Sequence, residues 1–170
     1  MENRKFIVLV LTVVFIISTS APAVVFAYEP TATHKGLTRD LIRYYEHFYP
    51  NTFSDTDKQA IEKGAMEEDV PAVRAAHHFY DPIYNKGLEG AFSSSKEWAQ
   101  DTSAQAEWSA SYLAALGNVT RPYFSSQTDY SWDRAIYEYA HGDKARGLES
   151  LGHILHLLQD VTVPDHTRND

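Results

Sequence analysis

The sequence predicts an all-α protein of about six helices, and three observations carry that reading. Apolar residues recur at three- and four-residue steps over several stretches, the spacing of a helix with one buried face. No stretch alternates apolar and polar residues with a period of two, and no hairpin turn signal or internal repeat interrupts the pattern. Pro, Gly, Asn and Asp fall between the periodic stretches, where they act as stops and caps.

Leu37, Leu41, Tyr44, Tyr45 and Phe48 predict an amphipathic helix over 36–49, with Thr38 as its cap and the apolar stripe turned toward the core. Pro50 and Asn51 end it. Ser54 and Asp55 cap a second helix whose inner face carries Ile61, Ala65 and Met66. The run Glu67, Glu68, Asp69, Val70, Pro71 reads as a helix end and a restart, with Pro71 in the first turn. A short helix or turn over 73–79 then carries His77 and His78, and 83–95 is a loop rich in Gly and Ser. A long helix is expected over 96–116, with Trp98, Trp108, Tyr112 and Leu116, and a second loop over 123–129. Asn118, Val119 and Thr120 match the glycosylation acceptor pattern. A helix over 132–139 is expected to turn Ala135, Ile136 and Tyr139 inward. His141, Gly142 and Asp143 stop it and cap the closing helix over 144–161.

The N-terminus reads as a secretory signal. Arg4 and Lys5 precede an apolar run from Phe6 to Ile17, and Val25 and Ala27 place small residues before a cleavage point at Tyr28. The run is shorter than the ~20 residues of a spanning helix. Residues 1–27 are therefore set apart as a cleaved signal peptide, leaving 28–170 as one domain bound for secretion or the cell envelope. The formal net charge of −8 argues against non-specific electrostatic binding of nucleic acid. There is no Cys, so a secreted chain of this kind is held by its core or by metal ions, whose ligands must come from carboxylates and the eight His.

The closing helix carries the strongest chemical signal. His153, His156 and Asp160 fall within roughly 60° of one another on a helical wheel, while Leu151, Ile154, Leu155, Leu157 and Leu158 cover most of the rest. A helix apolar nearly all round is buried, and imidazoles and a carboxylate are costly to bury unless paired or metal-bound. Pro164 breaks the helix, and His166 follows on the turn. Two His and an Asp from a helix and its exit point to a cation site, most naturally zinc; the alternative is a pair of hydrogen-bonded core histidines. His153 is open between ligand and core, His77 between a place behind the ligands and the core, and His47 and His141 sit near helix C-termini where a cation is favourable.

The pattern His156-x3-Asp160-x5-His166-x2-Asn169, with Pro164 between, resembles the signature of zinc-dependent phospholipase C, and the S1/P1 nucleases share a similar core. His78, Phe79, Tyr80, Asp81 and Pro82 are similar to the segment of that family that carries another zinc histidine. Residues 137–142 and 145–152 resemble the two-helix approach to the signature. The resemblance implies an all-α bundle of the phospholipase C/P1 nuclease type with two or three Zn2+ ions. It implies one ion on His78, His156, Asp160 and an upstream acid, Asp69, with Glu68 as fallback. It implies a second on His34, a bridging Asp160 and the mature N-terminus, and a third on His166. Asp69 would also serve as general base, and Asp81 and Asn169 would stand behind the ligands or meet substrate, with a turn role before Pro82 equally open for Asp81. In the family a later His-x3-Glu completes the third site, so the chain ending at Asp170 is expected to lack a C-terminal part. Leu157, Gln159 and Thr167 depart from the usual signature and imply a divergent bacterial branch.

The function so implied is a secreted, monomeric zinc-dependent hydrolase of phosphodiesters. It would be phospholipase C-like, with a phospholipid substrate, a peripheral membrane contact and no specific nucleic-acid partner. Two other readings stay open: a single-strand nuclease of the S1/P1 type, and a non-catalytic envelope protein whose bundle is stapled by metal.

Overall fold

The computed structural model describes residues 30–100, 102, 105 and 128–168. The described chain is all-α: no β-strand occurs among these residues, and the nearest thing to one is an isolated bridge between Asp81 and Lys86. Among the described residues six α-helices occur: α1 (Lys35–Phe48), α2 (Asp55–Glu67), α3 (Ser95–Gln100), α4 (Trp132–His141), α5 (Lys144–Asp160) and α6 (Pro164–Arg168). A π-helical turn, Pro30–His34, leads into α1, and 3-10 turns occupy Ala72–His77 and Leu88–Gly90. The signal-peptide reading, the 106–116 half of the long helix with Trp108, Tyr112 and Leu116, the Asn118 acceptor, most of the 123–129 loop, and Asn169 lie outside the described residues.

The local signals act where the side chains demanded. Ser54 closes a capping box with Asp57: its hydroxyl accepts from the Asp57 N–H while the Asp57 carboxylate accepts from the Ser54 N–H. Asp143 caps α5 by accepting from the N–H groups of Ala145 and Arg146. Buried Glu138 ties the α4–α5 corner by accepting from the Asp143 N–H at 2.9 Å.

The centre of the fold is the crossing of α2 on α5. Gly64 and Gly152 face each other there. A Cβ on Gly64 would overlap the backbone of Glu149, and one on Gly152 would overlap the carbonyl of Ile61. Only glycine lets the two backbones approach so closely, and that approach brings the Ala65 carbonyl within 2.7 Å of His156 Nδ1. The apolar core beside the crossing is small: Ile42, Ile61 and Leu148, with Phe53, Ala60, Leu151 and Leu155 against it. Much of the remaining interior is polar, with His34, Glu68, His78, His153, His156 and Asp160 fully buried.

Several expected faces turn differently. Thr38 does not cap α1; it is buried one turn inside it, and its hydroxyl accepts from Gln159 Nε2. The line His34, Thr38, Ile42 faces inward, so the expected stripe of Leu37, Leu41, Tyr44 and Phe48 lies open, between 42 and 66 % exposed. The polar contacts of His34 and Thr38 to α5 decide the rotation of α1. On α4, Ala135 is buried as expected, but Ile136 and Tyr139 are exposed and Glu138 takes the inward place. Pro164 does break α5, but it also opens α6, so His166 sits on a short helix rather than a turn.

Replacing Gly152 with Ala forces a methyl into the Ile61 backbone and should destabilise the metal-free protein by about 2–3 kcal/mol. Chemical denaturation of the purified variant checks this; an unchanged midpoint would mean the α2–α5 crossing relaxes freely.

Candidate metal centre

Five of the expected ligands meet between the ends of these elements. His34 closes the turn before α1, Asp69 follows α2, His78 closes the Ala72–His77 turn, and His156 and Asp160 lie one helical turn apart at the end of α5. All five are buried. Their donor atoms fall into two groups that share His156, one with His34 and Asp160 and one with Asp69 and His78, each within 4.8 Å. Such groups could hold metal ions.

Asp160 is the hub. Its Oδ2 lies 2.7 Å from His78 Nδ1 and 3.4 Å from His156 Nε2, and its Oδ1 lies 3.4 Å from His34 Nε2. Asp69 closes the other side, with Oδ1 3.5 Å from His78 Nδ1 and Oδ2 3.6 Å from His156 Nε2. The rings of His34 and His156 stack at 3.6 Å between centroids.

The far nitrogens fix the orientation. His156 Nδ1–H donates to the Ala65 carbonyl, so Nε2 presents its lone pair to the carboxylates. His34 Nδ1 pairs with Gln159 Oε1 at 2.8 Å, and Gln159 is itself oriented by Thr38. An imidazole lone pair opposite a carboxylate oxygen is unfavourable unless a proton or a cation lies between. His156 Nε2, both oxygens of Asp69 and Asp160 Oδ1 have no hydrogen-bond partner. Buried polar atoms are ordinarily satisfied, so this set fits a cation. It consists only of imidazole nitrogen and carboxylate oxygen, the hard-to-borderline donors that suit a divalent ion.

The charges agree with the geometry. Burial opposes ionisation of Asp160, but His156, His34 and His78 overcome it and hold the carboxyl far below its ordinary range. Burial lowers the basicity of His78, yet Asp160 and Glu68 outweigh it and push the group up to about 9. Burial raises Asp69, with the neighbouring Asp160 charge adding to it against the pull of His78 and His156.

Other expected residues stand elsewhere. His166 is buried, stacked on Phe79 at 4.4 Å, and its carbonyl accepts from the Tyr80 N–H. Its Nδ1 has no hydrogen-bond partner, but the residue belongs to neither donor group. Asp81, expected behind a ligand histidine or on substrate, instead serves a turn: its Oδ1 accepts from the N–H groups of Ile83 and Tyr84. Ala65 and Gln159 stand behind the ligands instead. His77 stacks on Trp98 and pairs with Ser93, and burial followed by the Arg74 charge lowers it to about 4.

His153 lies on the ligand face of α5 but serves the core. Its Nδ1 meets Glu68, and its ring stacks on Tyr130. Glu68 also receives Trp98 Nε1 at 2.9 Å and Arg74 Nη2 at 2.7 Å. The adjacent acids thus divide: Asp69 faces the donor cluster and Glu68 faces this second network, which the sequence reading did not foresee. Its only signal was the pairing of two acids with an arginine a few residues on. Compared with known proteins, the chain matches no family model, no curated protein and no solved structure.

The histidines set a pH optimum for the metal-free fold. Those depressed by burial, His77, His153 and His166, bind fewer protons folded than unfolded, so stability falls as pH drops below about 6.5. His78 is raised, so its contribution is complete below about 6.5 and is lost as pH climbs through about 9. Urea midpoints of the metal-free protein should therefore peak near pH 6.5 and decline toward pH 9; a midpoint that rises over that interval would contradict the His78 assignment.

Proposed function

We propose that this chain is a zinc-dependent hydrolase of phosphodiesters, of the phospholipase C/P1 nuclease type and most like a phospholipase C. The observation that carries the reading is the convergence of His34, Asp69, His78, His156 and Asp160 into one buried cluster with unsatisfied donor atoms. Those are five of the residues that the sequence resemblance implies for two zinc ions, although the two donor groups share His156 where the resemblance has Asp160 shared. Fold class alone would be weak support, since one architecture hosts many chemistries.

On this reading His78, His156, Asp160 and Asp69 would hold one ion, and His34 and Asp160 would serve another. When bound, the ions supply Lewis-acid polarisation of phosphoryl oxygens and a more acidic water. Asp69 has two oxygens free of hydrogen bonds, so one can ligate while the other holds or takes a proton from the attacking water. The Ala65 carbonyl and Gln159 keep the His156 and His34 rings aimed, which spares the site reorientation during turnover. His166 is the residue on this chain for a third ion. Secretion, a phospholipid substrate and a monomeric state belong to the same proposal.

A second reading has its own support. Among the described residues the apolar cluster is small and much of the interior is polar, so a bound ion would also stabilise the fold, as in a metal-stapled structural protein. The two readings separate on activity.

Refolded protein should contain zinc and hydrolyse bis(p-nitrophenyl) phosphate. Asp160→Asn should lower turnover about 100-fold or more, the equivalent of several kcal/mol of transition-state stabilisation. Faster turnover of lecithin than of single-stranded DNA is expected. Zinc-loaded protein with no phosphodiesterase activity would leave the structural reading standing, and protein that binds no zinc would remove both.

A further inference from the structure

We propose that Glu68 is a positioning residue for the metal centre, setting the tautomer and aim of His78 from behind; this rests on the metal-site reading above. Glu68 is 0 % exposed, and its carboxylate meets donors from Trp98, Arg74 and His153. Oε1 receives Trp98 Nε1, and Oε2 receives Arg74 Nη2 and His153 Nδ1. Arg74 Nε also reaches the Glu68 carbonyl, so the guanidinium grips both the backbone and the side chain of this residue.

The carboxylate so held has one further neighbour. Oε1 lies 3.8 Å from His78 Nε2, a buried nitrogen with no hydrogen-bond partner. The opposite nitrogen, Nδ1, faces Asp160 and Asp69. A ligand histidine works when one nitrogen is bare and the other carries its proton toward an acceptor. Glu68 Oε1 is the carboxylate oxygen facing that proton, at 3.8 Å an electrostatic partner rather than a formed hydrogen bond. With Nε2–H directed at Glu68, Nδ1 is left bare toward the donor cluster.

The stack around Glu68 makes its position stiff. Arg74 lies over the Trp98 ring at 5.0 Å and over Tyr130 at 5.5 Å, His77 stacks on Trp98, and Tyr130 stacks on His153. Arg74 supplies the counter-charge that keeps Glu68 ionised in a dry interior. Because Glu68 and Asp69 are consecutive, the same anchor also places Asp69, which ligates from the other side. One buried network thereby sets two of the five donors without touching an ion itself.

The test uses the full chain and Co2+ or Zn2+ alone as probe. Glu68→Gln keeps the shape and its Trp98 contact but weakens the acceptor facing His78. Calorimetric titration, with folding checked by circular dichroism, should show affinity reduced 10- to 100-fold, and the visible Co2+ spectrum should shift in position. A role confined to stability would lower the melting temperature but leave the affinity and spectrum of the folded fraction unchanged, and that result overturns the proposal. If Glu68→Gln does not fold, His153→Gln decides: it leaves Glu68 in place with a weaker anchor, so a reduced affinity supports the proposal and an unchanged one overturns it. Wild-type protein that binds neither ion overturns the metal-site reading itself, an outcome distinct from wild-type binding matched by Glu68→Gln.

Discussion

The Asp160 carboxylate, shared among three imidazoles, is the constraint on which the rest of the fold depends. One oxygen faces His34 and the other faces His78 and His156, residues from three different parts of the chain. Burying a carboxylate without such partners costs several kcal/mol. Meeting them dictates where α1, α2 and the Ala72–His77 turn must sit against α5. The glycine pair at the α2–α5 crossing follows from the same demand. Only a close approach lets a main-chain carbonyl of α2 hold His156 in the tautomer that faces the carboxylates.

The cost of this arrangement appears elsewhere in the molecule. Turning His34 and Thr38 toward α5 leaves the apolar stripe of α1 in the open. Among the described residues, more polar and charged side chains than apolar ones are buried, and the apolar cluster is small. Two buried polar systems lie side by side in it. One, around Asp160 and Asp69, is short of protons and keeps unsatisfied acceptors; the other, around Glu68 and Arg74, is nearly saturated. A candidate centre backed by a rigid, nearly saturated network is an arrangement that could hold donor atoms within a narrow tolerance.

Much of this was legible in the amino-acid order. Helical periodicity and the Ser54 and Asp143 caps located the elements, because those signals are local. His156 and Asp160 could be named from their helical spacing, His34, Asp69 and His78 only from what the resemblance implies, and the five do come together. The face that each helix buries was less legible. Periodicity shows that α1 is amphipathic, but polar contacts 125 residues away in sequence, from His34 to Gln159, decide its rotation. The division of labour between Glu68 and Asp69 was hidden for a related reason: adjacent acids after a helix end point in different directions, and only the partners show which is which. His153 shared the ligand face by wheel geometry, yet Glu68 and Tyr130 claim it. For Asp81 the sequence left support of a histidine and a turn role both open, and its carboxylate satisfies the turn.

The central claim is that the buried imidazole and carboxylate atoms around Asp160 hold a divalent cation. Crystals grown with zinc and measured on both sides of the zinc absorption edge test it most directly. The account predicts an anomalous peak at bonding distance from His156 Nε2 and an Asp160 oxygen. Zinc found only at surface histidines such as His47 or His141, with the His156 and Asp160 side chains unmoved and no peak between them, would contradict it.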